Sequence, residues 1–149
     1  MLSPSLEDYL EEIYRFSLSH GVVRVSDIAA CLNVSLPSVT NALRRLSNEN
    51  YLTYKKYKEV VLTPRGRRLG RFLVERNRVL QRFLQVLGSD CDIAAEAEAM
   101  EHYLTMPTIR AIECLVSFMY DHPECYEKFR RYCEGREQRG GGLEYGYEE

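Results

Sequence analysis

Hydrophobic positions recur every three or four residues along most of this 149-residue chain, and each such stretch predicts a helix. Leu6, Leu10 and Ile13 mark the apolar face of a first helix over 5–19, and Tyr9, Tyr14 and Phe16 add bulk. Ser3-Pro4 suits its start, a cap followed by proline in a first helical position. Val25-Ser26-Asp27-Ile28-Ala29 opens a second helix, capped by Ser or Asp and running to Leu32, and Asn33-Val34-Ser35 interrupts it. Ser35 caps a third helix with Pro37 in its first turn and Val39, Ala42, Leu43 and Leu46 on its apolar face. The pattern then changes to two β-prone runs, 51–54 and 60–63, around Lys55-Lys56-Tyr57-Lys58-Glu59, which predicts a hairpin with a basic tip. A long helix follows from Thr63-Pro64-Arg65-Gly66 to about Leu87, with Leu69, Leu73, Leu80, Leu84 and Leu87 as its stripe. Gly88-Ser89-Asp90 breaks it. Ile93, Ala97, Met100 and Leu104 predict an amphipathic helix over 91–104. Pro107 starts another, carrying Ile109, Ile112, Leu115, Val116 and Met119, and Pro123 opens a last one to about Cys133. The Gly-, Glu- and Tyr-rich tail from Gly135 is expected to be disordered.

Two short helices, a tight turn and a following basic hairpin make a winged helix-turn-helix. The expected fold is mainly α: a winged-helix domain over 1–64, a linking helix over 65–88, an all-helical domain over 89–134 and a tail over 135–149. The second helix of such a unit enters the major groove. Ser35, Pro37, Ser38, Thr40 and Asn41 then meet base edges, while Arg44 and Arg45 suit phosphate or guanine. Lys55, Lys56 and Lys58 of the wing face phosphates. The alternative at this point is a plain helical hairpin with exposed polar residues. The C-terminal helices offer roughly 45 residues, a meagre core for a monomer, so two copies are expected to pack together.

Charge divides along the same boundary. Residues 1–88 carry 14 Lys+Arg against 8 Asp+Glu, and residues 89–149 carry 6 against 14. That polarity suits a polyanion-binding half joined to a half with another task. The five cysteines are odd in number, lack a C-x-x-C, and show no zinc-site spacing, so they read as reduced, mostly buried thiols. No apolar run is long enough for a membrane span, and the acidic N-terminus does not resemble a signal peptide, so a cytoplasmic protein is expected.

Candidate chemistry lies in the acidic half. Glu98, Glu101 and His102 fall at i, i+3 and i+4, which on a helix aims two carboxylates and an imidazole one way. A solvated charged face is the bland alternative. Asp8, Glu11 and Glu12 repeat the spacing in the first helix, where acids also simply suit the helix dipole. Asn77 sits where the long helix's stripe calls for an apolar residue; it either makes a core hydrogen bond or meets a metal.

Taken together these motifs resemble the diphtheria-toxin-repressor family of metal-dependent regulators, in its short manganese-responsive branch. The likeness covers about residues 4–120 and rests on Ser5-Leu6-Glu7-Asp8-Tyr9-Leu10-Glu11-Glu12-Ile13-Tyr14, Val25-Ser26-Asp27-Ile28-Ala29, Pro37-Ser38-Val39-Thr40, Leu62-Thr63-Pro64-Arg65-Gly66 and Glu98-Ala99-Met100-Glu101-His102-Tyr103-Leu104. It implies a homodimer with a divalent metal held by Asp8 and Glu11 of the first helix and Glu98, Glu101 and His102 of the acidic one. Iron-responsive relatives commonly carry cysteine at position 98; a carboxylate there favours Mn(II), since oxygen donors suit that ion. Fe(II) and Zn(II) are further candidates. Asn77 replaces the family's usual histidine, which bears on a second ion. The implied function is a metal-dependent repressor that binds a palindromic operator of metal-uptake genes as a homodimer. A metal-independent winged-helix regulator answering to a small organic effector is the alternative. No H-E-x-x-H motif and no base apart from the ligands is present, so an enzyme is not expected.

Overall fold

The computed structural model describes residues 2–54 and 59–140. The wing tip with Lys55, Lys56 and Lys58 therefore lies outside the described residues. The chain forms two compact units, 1–78 and 79–149. The division falls inside the predicted linking helix rather than at either of its ends.

The first unit holds α1 (Pro4–Ser19), α2 (Val25–Leu32), α3 (Leu36–Asn48), β1 (Leu52–Thr53), β2 (Val61–Leu62) and the N-terminal part of α4 (Pro64–Leu87). The strands are antiparallel, pairing Leu52 with Leu62 and Thr53 with Val61, and Val23 bridges to Val60. Leu10, Ile13, Ile28, Leu43, Leu46, Leu52 and Leu73 are fully buried and join all the helices to the strands in one core. The predicted apolar faces of α1 and α3 are thus the ones that pack.

Local chemistry explains the boundaries. Ser35 caps α3, its hydroxyl accepting from the Ser38 amide at 3.3 Å, and Pro37 stands in the first turn. Asn33 closes α2 in a left-handed conformation, φ 51°, which asparagine tolerates better than most residues. The cap of α2 differs from expectation. Arg24 is the cap residue, and Asp27 reaches back from the first turn to accept its amide at 3.2 Å. Two glycines allow close approach: a Cβ at Gly66 would overlap the Tyr51 carbonyl, and one at Gly70 would lie 2.6 Å from the Tyr14 Cβ.

The second unit contains the rest of α4, then α5 (Ile93–Glu101), α6 (Met106–Asp121) and α7 (Pro123–Gln138). Its core is small: Leu80, Leu84, Ala97 and Ile109, bordered by Cys91, Ile93, Met100, Leu104 and Ile112. Leu115, Phe118 and Tyr120 of α6 are exposed, and none of the residues of α7 is buried. An apolar face left bare this way belongs to an interface.

Four expectations are corrected here. In α4 the stripe ends on Val86, which is buried, while Leu87 is exposed at the helix terminus. The helix predicted over 91–104 is shorter at both ends, because Asp92 caps it by accepting from Ala95 and the chain turns at His102 ahead of Pro107. Residues 135–138, expected in the tail, belong to α7, and Arg139 folds back onto the Gly135 carbonyl at 2.8 Å, while 141–149 lie outside the described residues. The cysteines are free as expected, but none is buried; Cys31 and Cys114 are exposed. Among the described residues no helix is long and apolar enough to cross a membrane.

Candidate functional site

The acidic residues of α1 separate into different environments once the helix packs. Glu11 is buried at 9% exposure, and its Oε1 accepts from Arg15 at 2.6 Å, leaving Oε2 as a further donor atom. Asp8 stands one turn earlier and is half-buried. Glu7 pairs with Arg76, whose Nη2 lies 2.9 Å from Oε2, and Arg76 is itself buried. Glu12 points to α2 and accepts the Cys31 thiol at 3.0 Å. That hydrogen bond, with partial burial, raises the thiol pKa above its ordinary value. The cluster of three carboxylates read from the spacing is thereby divided: Glu12 is engaged elsewhere, and Asp8 and Glu11 remain.

In the second unit, Glu101 is the last residue of α5 and is almost wholly buried, at 2% exposure. His102 follows as the C-cap and is half-buried, with Nε2 3.8 Å from Glu101 Oε1. A carboxylate and an imidazole thus lie side by side out of solvent. Glu98 does not join them: it is exposed, and with Glu101 and His102 it forms no set of three donors within 4.8 Å. His102 keeps a right-handed helical conformation as the C-cap, φ -80° and ψ -16°, so its ring stays beside Glu101 although α5 ends one residue before it. Asn77 is half-buried on α4.

The donors suit a divalent cation. Carboxylate oxygens and one imidazole nitrogen match hard and borderline ions, and no thiolate is among them. A carboxylate at 2% exposure is costly to ionise unless positive charge compensates it. The residues present therefore fit a bound metal.

The residues expected to face nucleic acid lie on α3. Ser35, Pro37, Ser38, Asn41, Arg44 and Arg45 are exposed and Thr40 is half-buried. Ser35 and Ser38 are tied to one another at 2.8 Å by the cap, so their hydroxyls also hold the helix start. A groove of about 1330 Å³ runs between the start of α2, the exposed face of α3 and the wing. Thr40 and Arg44 line it together with Arg24, Ser26, Asn48 and Tyr54, which the sequence did not single out. Thr40, Arg44 and Asn48 recur at i+4 along α3, a period that could have found the last of them.

The comparisons agree with this layout. Residues 1–60 match the iron dependent repressor, N-terminal DNA binding domain, and residues 63–130 match the iron dependent repressor, metal binding and dimerisation domain. The HTH-type transcriptional regulator MntR of Lysinibacillus sphaericus (strain C3-41) is 40% identical over 129 residues, 86% of this chain and 93% of the relative. Its namesake in Geobacillus kaustophilus (strain HTA426) is 40% identical over 139 residues, 93% and 99% of the two chains. Among solved structures, the manganese regulator SloR superposes with a TM-score of 0.67 at 28% identity, covering 78% of this chain and 55% of SloR. ScaR with bound Zn2+ gives 0.64 at 28%, covering 76% and 54%. The chain spans about half the length of these two structural relatives. With a winged helix, buried metal-type donors and an exposed apolar face on α6, the chain belongs to the iron-dependent-repressor family, whose members are metal-dependent, dimeric, DNA-binding transcriptional repressors and not enzymes.

Proposed function

We propose that this protein is a cytoplasmic, manganese-responsive repressor that binds a palindromic operator of metal-uptake genes as a homodimer. The observation that carries the choice of ion is the donor set: Asp8, Glu11, Glu98 and Glu101 offer oxygens, His102 offers an imidazole, and position 98 has no thiolate. The names of the relatives support it, since the 40%-identical proteins are called MntR and SloR is titled a manganese regulator. ScaR with bound Zn2+ keeps Zn(II) as a second reading, and Fe(II) with it.

When bound, a divalent ion supplies two positive charges and a coordination shell that these side chains fill. Asp8 and the free Oε2 of Glu11 provide oxygens from α1, and Glu101 and His102 provide a buried carboxylate and an imidazole. Glu98 offers a further carboxylate from the exposed side of α5, and Asn77 offers a weaker amide oxygen where a second ion would need a better ligand. Metal binding then favours one arrangement of the protein by its differential affinity. Two recognition helices then match half-sites about one DNA turn apart. Thr40, Asn41 and Arg44 read bases, and Lys55, Lys56 and Lys58 hold phosphates.

Glu101→Ala tests the reading. Far-UV circular dichroism should be unchanged, while the gain in operator affinity on adding Mn(II), followed by fluorescence anisotropy, should vanish. Persistence of that gain would remove Glu101 from the site. Wild-type binding that is indifferent to a chelator would instead favour the effector-driven alternative.

A further inference from the structure

The basic start of α4 is not used by the function described so far. Of its arginines, Arg65 is engaged within the fold: its guanidinium lies over the Tyr51 ring at 4.5 Å and donates to the Tyr51 hydroxyl at 3.0 Å. Arg67, Arg68 and Arg71 are exposed, and none of the three is in an ion pair among the described residues. They line one wall of a second cleft, about 510 Å³, whose other walls are the end of α1, with Tyr14 and Ser17, and strand β2. Glu59 and Val61 at the root of the wing line both this cleft and the groove along α3. The wing therefore separates two concave surfaces of the same unit. One is the DNA-reading groove; the other carries three guanidinium groups that are in no ion pair among the described residues.

We propose that this second cleft binds backbone phosphates of operator DNA beyond the wing, outside the half-site read by α3. Two observations carry the choice of occupant. The charge is that of a phosphate site: three arginine forks, none in an ion pair among the described residues, outnumber the one carboxylate of the lining, Glu59. The cleft is also continuous with the DNA face through the shared root of the wing, so a duplex held in the first groove and crossed by the wing continues on the side of α4. The cleft reads no bases. It adds affinity and salt dependence for flanking sequence of any composition. The assignment rests on the proposed function.

The experiment uses the full-length chain with saturating Mn(II), Arg68→Gln/Arg71→Gln as the variant, and two duplexes. One duplex carries the operator alone; the other adds roughly one helical turn on each side. Both substituted residues are exposed, so folding is preserved, and circular dichroism verifies it. The wild-type chain should bind the longer duplex more tightly and with a steeper dependence of log affinity on log salt. In the variant that increment should disappear, with a slope on the long duplex lower by about two, while the short duplex is bound as by wild type. An unchanged increment overturns the proposal, and so does an equal loss on both duplexes, which would put the arginines in the core interface. Saturable binding of inorganic phosphate that the variant abolishes, with the flank increment intact, would assign the cleft to a free anion and also overturn it. The short duplex reports on the proposed function and the increment on the cleft, so the two readings fail separately.

Discussion

Arg76→Met is the perturbation that tests most directly how the DNA-binding unit is held together. Arg76 sits 69 residues from Glu7 in sequence, yet the two meet at 2.9 Å with side chains only 7% and 16% exposed. Methionine keeps the aliphatic stem and removes the charged fork, which also lies over the Phe72 ring at 5.8 Å. Opposite charges near contact interact by about 4 kcal/mol at the effective dielectric of a protein surface. Deleting one member of a buried pair costs about 3–5 kcal/mol, because the survivor is left desolvated. Glu7 retains some access to water, which places the expected loss at the low end, about 3 kcal/mol. For a chain of this length that corresponds to a fall in Tm of about 6–12 °C.

The assay is urea and thermal unfolding of the metal-free chain by circular dichroism, run on wild type, Arg76→Met, Glu7→Gln and the double variant. Removing both charges should recover more than half of the loss, because no uncompensated ion remains. Glu7 precedes Asp8 on α1, so the single variant should also weaken Mn(II) binding by loosening the helix that presents Asp8 and Glu11. A single variant within about 0.5 kcal/mol of wild type, or a double variant equal to the sum of the singles, would refute the reasoning and mark the pair as solvent-screened.

Three other expectations can be checked on the same material. Arg44→Ala should weaken operator binding by about 1–3 kcal/mol with metal saturating; unchanged anisotropy titrations would take Arg44 out of the contact surface. Asn77→His should tighten Mn(II) binding or add a second ion, and calorimetry that returns the same stoichiometry and affinity would leave Asn77 a structural residue. The raised pKa of Cys31 depletes its thiolate at any given pH, because the hydrogen bond to the Glu12 carboxylate favours the protonated thiol. Glu12→Gln should therefore lower that pKa and speed iodoacetamide labelling of Cys31 near pH 8, read by peptide mass spectrometry; an equal or slower rate contradicts the contact.

Periodicity made most of the first unit legible, because its information is local. The faces of α1 and α3 follow from spacing, the start of α3 from Ser35-x-Pro37, and the wing from a change of period. What stayed hidden depends on contacts distant in sequence. Arg76 lies in a helix so rich in arginine that every one of them reads as solvated, and only the approach of α1 buries it with Glu7. Glu12 and Cys31 meet for the same reason. In the second unit the failures are at helix ends. The helix predicted through Leu104 ends at Glu101, because the chain turns before Pro107, and His102 remains in helical conformation only as its cap. Offsets within a helix are informative only as far as the helix extends. Gly135 was taken for an ending, although a single glycine costs a helix only about 1 kcal/mol. An ion pair between Arg131 and Glu127 one turn earlier supports its continuation.

The two units differ in how far each can stand alone. The first buries side chains from every one of its elements in one core. The second has a small cluster around Leu80, Leu84, Ala97 and Ile109, and it leaves Leu115, Phe118 and Tyr120 in water. Covering those side chains with a second copy supplies hydrophobic stabilisation, of order 25 cal/mol per Å² of apolar surface, that the monomer lacks. Dimerisation is therefore linked to the folding of this unit by mass action. Glu101 and His102 lie at the end of α5, whose one buried apolar side chain, Ala97, belongs to that small cluster. Glu101 and His102, the donors proposed for the second unit, are thus held in place by a core that the dimer completes. An assembly mutant on α6, such as Phe118→Glu, would then lose metal affinity without touching a ligand.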